Sequence, residues 1–288
     1  MIELWLLFSV FTIFCYGTAQ QFSKRGVQII GVYQTGLLYA IAALTIQSLF
    51  RFLHPDDVSG SLADLGVAIF AGVIGALGFV FYVKALRSGM VSIVSVITAG
   101  YPAIAVFLAI AILGEALSIK EIMGVLLVIL AIIFLALPQR AKIAKEKKSG
   151  SSTKWLFWSI MAFIFWGIWA IPSKMAIEGL GESDFIFVDG LTMIVVWIPL
   201  WLVIEKGKMS MDLRKISFST IAGILASVGT ISLFLAIANG QVSIVTPLTS
   251  IYPLVTILLA RIALKERLNW LQFLAIALGI VGIVMLAS

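Results

Sequence analysis

Two tyrosine–proline pairs, at residues 101–102 and 252–253, lie inside long apolar segments of the chain. A proline inside a helix removes one backbone hydrogen bond and frees the carbonyl four residues earlier. Here that carbonyl belongs to a threonine in both cases, and a threonine hydroxyl can compensate a freed backbone group. Such kinks can act as a gate with tyrosine hydroxyls beside it, or they can be static bends with packed tyrosines. We predict ligand contacts for Thr98, Tyr101, Thr249 and Tyr252, and a gating role for Pro102 and Pro253.

A second set of polar and aromatic residues clusters toward the ends of the first and sixth apolar segments. Amides inside an apolar helix usually face the bundle interior. Indole rings stack on flat or cationic ligands, although a tryptophan at a helix end is often an interfacial anchor. A lysine there either extends to the interface or holds a carboxylate, a phosphate or an ion-pair partner. The predicted ligand contacts in this set are Gln20, Gln21, Lys24, Trp166, Trp169, Ser173 and Lys174.

Asp189 is the one carboxylate that we place well inside an apolar segment. An acid in such a place is a candidate proton carrier or ion-pair partner, and the alternative is a position at the helix start. Tyr82 ends the third segment, where the second half of the chain has Leu233. Ser227 and Thr230 are three residues apart and share a helix face, although such residues also mediate ordinary helix packing. We predict ligand contacts for Tyr82, Ser227 and Thr230, and a coupling role for Asp189.

These residues belong to a chain that is too apolar for water. Its 288 residues are 61% hydrophobic and 12% charged, whereas a soluble domain is roughly 25% charged. The net charge of +6 comes from basic residues beside apolar segments, where they set orientation and meet anionic lipid. Cys15 and His54 are the only residues of their types, so an internal disulfide and a multi-histidine metal site are excluded. We find no P-loop, zinc-protease or nucleophile-elbow motif, and we expect no cofactor, no metal and no enzymatic activity.

The chain contains ten apolar segments, each near the roughly 20 residues that a helix needs to cross a bilayer. Seventeen of the twenty lysines and arginines fall in the odd-numbered loops and three in the even-numbered ones. The positive-inside rule therefore places the odd loops in the cytoplasm and both termini outside. The N-terminus carries Glu3 and no lysine or arginine before the first apolar run, so we expect residues 3–22 to be a retained helix. The predicted segments are 3–22, 32–52, 64–82, 91–113, 119–137, 155–177, 185–204, 217–238, 242–264 and 270–287.

The sequence repeats itself at an offset of 150 to 151 residues. Lys24 matches Lys174, and further along Tyr101 matches Tyr252. We therefore divide the chain into a first repeat at 1–137, a basic flexible linker at 138–154 and a second repeat at 155–288. Each repeat has five segments, so the second enters the membrane from the side opposite to the first. An inverted repeat of this kind is typical of transporters with a site between the halves.

The repeated motifs resemble those of the drug/metabolite transporter superfamily, in its ten-helix branch with two EamA-type repeats. They are Trp-Gly-x-Trp-x-x-x-x-Lys at 166–174, a Ser-Ile-Val turn before each Tyr-Pro helix, and Glu-x-Leu at Glu115 and Glu266. The resemblance implies an all-α membrane protein, in which ten helices surround a central cavity. It implies that the first, third, fourth, sixth, eighth and ninth helices line that cavity and that the fifth and tenth are peripheral. We expect both glutamates to cap the turn into the next helix.

The resemblance also implies alternating access in a prokaryotic cytoplasmic membrane. We expect a secondary transporter of a small polar organic metabolite, and the two lysines favour an amino-acid-like or anionic one. A lipid carrier or flippase on the same scaffold, a cationic drug exporter and a passive channel are the alternatives. The expected partners are a small-molecule substrate and membrane lipid, with no nucleic acid, and the protein is expected to be a monomer or homodimer.

Overall fold

The computed structural model describes residues 3–56, 60–148, 154–210, 212–264 and 270–286. These residues form helices joined by short turns, and no strand occurs among them. A helix closes its backbone hydrogen bonds within one segment, which an apolar chain in a bilayer requires because lipid offers no partner to a peptide group. The all-α class predicted from the sequence is confirmed.

The helices are numbered along the chain. They are α1 (Leu4–Ile30), α2 (Val32–Leu53), α3 (Leu62–Ser88), α4 (Val91–Thr98), α5 (Pro102–Leu108), α6 (Ile119–Lys148), α7 (Lys154–Leu180), α8 (Glu182–Glu205), α9 (Leu213–Asn239), α10 (Val242–Thr249), α11 (Tyr252–Leu264) and α12 (Trp270–Leu286). A π-helical turn, Ala109–Leu113, follows α5. It ends at Gly114, whose φ of 68° is easily adopted only by glycine.

Seven segments within the described residues are long and apolar enough to cross a membrane. Each coincides with a predicted segment, and the fourth and ninth are interrupted pairs, α4–α5 and α10–α11. The three remaining predicted segments are the helices α1, α6 and α12. Helix α6 continues to Lys148, well past the predicted end at residue 137. Much of the predicted linker is therefore helical, and its residues 149–153 lie outside the described part of the chain.

The fourth and ninth segments break at their prolines, as the sequence predicted. In the fourth, α4 ends at Thr98 and α5 begins at Pro102. The carbonyl of Thr98 accepts a hydrogen bond from the backbone N–H of Tyr101 at 3.2 Å, so a tighter turn satisfies the carbonyl that the proline frees. The threonine hydroxyl was expected to compensate the break, but it donates to the carbonyl of Val94 at 2.9 Å instead.

Helices of the first repeat pack mainly against helices of the second. Helix α1 packs against α9, α3 against α7, α2 against α8, and α6 against α12. Small residues make the close approaches possible. Trp169 and Trp166 of α7 lie over Gly75 and Gly78 of α3, where an added Cβ would come within 2.7 and 2.6 Å of the indoles. These two glycines of α3 therefore receive two large aromatic side chains.

Two equivalent glycines bring α1 and α7 against the helices that follow the breaks. A Cβ on Gly17 would lie 2.5 Å from the Cβ of Val255, and a Cβ on Gly167 would lie 2.6 Å from the Cβ of Ile104. Gly17 and Gly167 are 150 residues apart, and their neighbours Ile104 and Val255 are 151 residues apart. Equivalent residues of the two repeats therefore make the same close contact, once for each glycine.

Glu115 caps a helix of the other repeat, not the next helix of its own. Its carboxylate accepts hydrogen bonds from the backbone N–H groups of Val242 and Ser243, both at 2.8 Å, and from the hydroxyl of Ser243. A carboxylate at a helix N-terminus satisfies exposed N–H groups and the helix dipole. We expected Glu115 to cap the turn into the helix that follows it, but it caps the start of α10 instead. The matching Glu266 lies outside the described residues.

Candidate functional site

A cavity of about 150 Å³ lies where the two repeats meet. Its walls come from α1, α2, α3, α7, α8 and α9 and from the breaks of the fourth and ninth segments. The lining residues are Tyr16, Ala19, Gln20, Ser23, Tyr39, Ala43, Gln47, Gly75, Phe79, Tyr82, Tyr101, Trp166, Trp169, Asp189, Met193, Ala226, Ser227, Thr230, Leu233 and Tyr252. The second and seventh segments, α2 and α8, were not expected to line a cavity, whereas none of the described lining residues belongs to α6 or α12.

Four aromatic side chains form what we term the aromatic end of the cavity: Tyr39, Phe79, Tyr82 and Trp166. The ring centroids of Tyr39 and Phe79 are 4.6 Å apart, those of Phe79 and Tyr82 6.0 Å, and those of Tyr82 and Trp166 5.5 Å. These spacings are typical of favourable aromatic pairs. The hydroxyl of Tyr39 is further held by a hydrogen bond with Ser23. The cluster is therefore a packed aromatic surface, in which the hydroxyl of Tyr82 is buried without a hydrogen-bond partner among the described residues.

Asp189 and Gln47 form the acid–amide end of the same cavity. The Nε2 of Gln47 donates to the Oδ2 of Asp189 at 3.2 Å. Both side chains are buried, with residue exposures of 1% for Gln47 and 7% for Asp189. Gly190 leaves room for the amide, because a Cβ there would lie 2.5 Å from the Oε1 of Gln47. That oxygen has no hydrogen-bond partner in the described structure.

The two ends are separated along one helix. Tyr39 and Gln47 are eight residues apart on α2, which at 1.5 Å per residue is about 12 Å along the helix axis. Asp189 lies in α8, two turns after its start at Glu182. Among the described residues that line the cavity, Asp189 is the only one with a charged side chain. No lysine or arginine in the described part of the chain forms an ion pair with it.

The repeats contribute unlike residues at equivalent positions. Gly31 precedes α2 and Gly181 precedes α8, and their φ values are both positive, at 86° and 92°. These two glycines are 150 residues apart, so equivalent positions of the two repeats differ by 150 in this region. This offset relates Tyr39 to Asp189, and both line the cavity. Among the described lining residues, a carboxylate therefore comes from the second repeat only.

The tyrosines at the breaks make reciprocal contacts between the repeats. The hydroxyl of Tyr101 lies 3.5 Å from the Oγ1 of Thr249, and the hydroxyl of Tyr252 lies 3.4 Å from the Oγ1 of Thr98. At the upper limit of hydrogen-bond distance these contacts are weak. Each tyrosine lines the cavity, and each threonine lies behind the tyrosine of the opposite repeat.

Most of the predicted ligand contacts come together at this cavity, and the rest lie around it. The members that line it are Gln20, Tyr82, Tyr101, Trp166, Trp169, Ser227, Thr230 and Tyr252, together with Asp189. Those that do not line it are Gln21, Lys24, Thr98, Ser173, Lys174 and Thr249, together with Pro102 and Pro253.

Several predicted contacts are engaged with the protein itself. The Oε1 of Gln20 accepts a hydrogen bond from Ser95, and Thr230 pairs with the hydroxyl of Tyr16 at 2.9 Å. Gln21 points away from the cavity and donates to the carbonyl of Thr256 at 3.0 Å. Ser173 donates to the carbonyl one turn earlier at 2.8 Å. Polar groups in an apolar interior are satisfied locally wherever a partner is in reach.

The two lysines hold helix ends. The Nζ of Lys24 donates to the carbonyls of Leu86 and Gly89 at 2.6 and 2.7 Å, at the end of α3. The Nζ of Lys174 donates to the carbonyl of Ile237 at 2.9 Å, at the end of α9, and pairs with Glu178 at 3.4 Å. A cation at a helix C-terminus satisfies unpaired carbonyls and the helix dipole. Direct substrate contact by either lysine therefore has no support in this geometry.

The sequence reasoning missed several lining residues, of which the polar and aromatic ones are Tyr16, Ser23, Tyr39, Gln47 and Phe79. Gln47 carried a usable signal, because a buried amide inside an apolar segment is by default a functional candidate. The aromatic residues carried none, because an aromatic side chain in a membrane helix is more often part of the packing.

With this geometry established, comparison with known proteins decides the family. The model of the EamA-like transporter family matches residues 3–137 and 153–288. The chain belongs to the EamA-like transporter family. An uncharacterized transporter of Archaeoglobus fulgidus is 23% identical over 286 residues, covering 98% of this chain and 97% of the relative. An uncharacterized protein of Methanocaldococcus jannaschii is 30% identical over 131 residues, covering 44% of this chain and 92% of the relative.

A solved crystal structure shares the fold of this EamA-like protein. It covers 98% of this chain and 95% of its own, with a TM-score of 0.74 at 14% sequence identity. The family match, together with the Archaeoglobus fulgidus relative, confirms the resemblance to the drug/metabolite transporter superfamily. The protein is an integral multi-pass membrane transporter, in agreement with its apolar helices.

Proposed function

We propose that this protein is a secondary transporter that carries a small polar organic solute across the membrane by alternating access. The observation that carries the proposal is the cavity itself, which is built by both repeats and has a polar and an aromatic end. Its volume of about 150 Å³ is comparable to cavities that hold a molecule of benzene's size. A site of these dimensions suits one small solute.

The proposed mechanism uses the two repeats as an inverted pair. The cross-repeat contacts of Gly17 and Gly167, and of Tyr101 and Tyr252, occur at equivalent positions, which supports two halves that can exchange conformations. Seventeen basic residues in odd loops against three in even loops support opposite insertion of the halves and both termini outside. The breaks before Pro102 and Pro253 are the proposed gates.

The solute is proposed to contact the predicted residues that line the cavity, with Asp189 as the charged group. The preference for an anionic metabolite depended on Lys24 and Lys174. Because both ammonium groups hold helix-end carbonyls, that preference loses its support. The proposal keeps the small polar solute, membrane lipid as the surrounding partner, and a monomer or homodimer as the working unit.

Counterflow in proteoliposomes tests the function. Purified protein is reconstituted with a high internal concentration of each unlabelled solute from a panel of amines, amino acids, sugars and organic acids. A carrier accumulates the same labelled solute from outside against its gradient, whereas a passive channel only equilibrates it. Accumulation for at least one solute is expected. Equilibration without accumulation would establish a channel, and scrambling of labelled lipid without solute exchange would establish a flippase.

A further inference from the structure

We propose that the cavity binds an organic ammonium ion, a primary amine carrying an apolar body about the size of an aromatic ring. The ammonium group lies at the acid–amide end, against Asp189 and Gln47, and the body lies toward the aromatic end. The inference rests on the proposed function, because it assigns the solute class of that same cavity.

Asp189 gives the cavity a negative charge. A carboxylate buried to 7% exposure is costly unless a cation or a proton neutralises it. The Arg51 side chain pairs with Asp184 instead. Lys24 and Lys174 do not line the cavity, and their ammonium groups hold helix ends. Within the described residues, no protein cation faces Asp189 at the cavity. A cationic solute supplies the missing countercharge.

The hydrogen-bonding capacity specifies the kind of cation. Asp189 receives one N–H from Gln47 on its Oδ2, which leaves acceptor capacity on the carboxylate, since it offers about four lone-pair sites. The Oε1 of Gln47 is buried without a partner among the described residues. A primary ammonium has three N–H donors and no acceptor, so it matches the open lone-pair sites of the carboxylate. A quaternary ammonium has no N–H to donate.

The remaining walls specify the body of the solute. The aromatic end presents the rings of Phe79 and Tyr82, with centroids 6.0 Å apart, to the same cavity that Asp189 lines. Aromatic side chains stack with flat apolar groups and attract cations through their faces. An arylalkyl amine therefore places each of its two parts against matching chemistry.

The same walls disfavour a carboxylate on the solute. No lysine, arginine or histidine lines the cavity in the described part of the chain. A zwitterion or an anion would bury its carboxylate beside Asp189 without a countercharge, and like charges at short range disfavour binding. The geometry points to a monocation in preference to an amino acid.

Calorimetric titration of the full-length protein in detergent at pH 7.5 tests this with four probes of one shape. The probes are 2-phenylethylammonium, 2-phenylethanol, phenylalanine and phenylacetate. The amine is expected to bind at least tenfold more tightly than each of the other three. Binding of phenylalanine or phenylacetate as tight as that of the amine would overturn the proposal. This series uses the unaltered protein, so it decides the matter even where a variant does not fold.

Asp189→Asn is the matched variant, because it keeps shape and removes charge. It is expected to weaken 2-phenylethylammonium at least tenfold and to leave 2-phenylethanol within twofold, which also shows that the variant is folded. Asp189→Glu is expected to retain part of the preference for the amine. The control is Asp184→Asn, an acid on the same helix that pairs with Arg51 away from the cavity, and it should leave the preference unchanged. Equal losses for the amine and the alcohol in Asp189→Asn would contradict the charge assignment.

The two proposals fail differently. Counterflow of amino acids or sugars without any binding of the amine would remove the ammonium site and leave the transport function standing. Tight, Asp189-dependent binding of the amine with no counterflow of any solute would remove the transport function and leave the binding site.

Discussion

Lys24 and Lys174 make the same contact on opposite sides of the molecule. Each reaches from the end of its own helix to a carbonyl near the end of another, Leu86 for the first and Ile237 for the second, at 2.6 and 2.9 Å. The lysines are 150 residues apart and the carbonyls 151. Each lysine therefore joins the first helix of its repeat to the third helix of the same repeat.

Removing either lysine should destabilise the protein to a similar degree. A hydrogen bond to a charged group contributes roughly 1.5–3 kcal/mol, so Lys24→Met and Lys174→Met should each lower the free energy of unfolding by about 1–3 kcal/mol. Unfolding of the purified protein in mixed micelles measures this. Lys215→Met is the control, because its pair with Asp212 is exposed and such pairs are worth under about 1 kcal/mol. A loss in only one of the two lysine variants would argue against equivalent roles.

The cap that Glu115 places on α10 predicts a cost across the repeats. Glu115→Ala removes the acceptor for the N–H groups of Val242 and Ser243, and loss of a helix cap costs roughly 0.5–2 kcal/mol. Glu121→Ala is the comparison, since Glu121 bonds the exposed N–H of Ser118 within its own repeat. Denaturant unfolding should show the larger loss for Glu115, and an equal loss would mean that the cross-repeat cap adds nothing.

The close contacts of Gly17 and Gly167 predict that even alanine is too large there. Because an added Cβ would lie 2.5–2.6 Å from its neighbour, Gly17→Ala and Gly167→Ala should cost about 1–3 kcal/mol, as overpacking does. Gly66→Ala is the control, since nothing lies within 4 Å of its added Cβ. Melting temperatures in one detergent compare the three. Unchanged melting temperatures for Gly17→Ala and Gly167→Ala would contradict the tight packing.

The buried carboxylate predicts a gain in stability when it is neutralised. Without solute, Asp189→Asn should raise the free energy of unfolding at pH 8 by at least about 1 kcal/mol, because a buried charge without a countercharge is destabilising. Asp184→Asn should lower it, because it leaves Arg51 without its partner. The same unfolding assay measures both. A loss of stability in Asp189→Asn would mean that the carboxylate is already neutralised in the folded protein.

The sequence predicted the helices, the breaks and the general position of the cavity better than it predicted individual contacts. Gln20 lines the cavity and Gln21 does not, because consecutive residues on a helix point about 100° apart and apolar periodicity is weak in a helix that is buried on most sides. Motif spacing identified both tyrosine–proline breaks because proline acts through local backbone geometry.

The lysines show why the remainder needed a structure. A lysine side chain has several rotatable bonds and extends to whichever acceptor packing brings within reach. The acceptors of Lys24 are carbonyls more than sixty residues away, and nothing in the sequence near Lys24 identifies them. The same holds for Gln47 and Asp189, which meet only because α2 packs against α8.

Tyr39 and Asp189 occupy equivalent positions of the two repeats, and this difference affects the protein without bound solute. If two identical halves exchanged shapes, the inward-facing and outward-facing states would have equal energy by symmetry. Here one half brings a buried acid and the other a tyrosine, so the exchange turns one arrangement into a chemically different one. The proposed alternating-access mechanism therefore implies two states of unequal energy, and it predicts a preferred resting side of the unloaded transporter that a cation bound at Asp189 would shift.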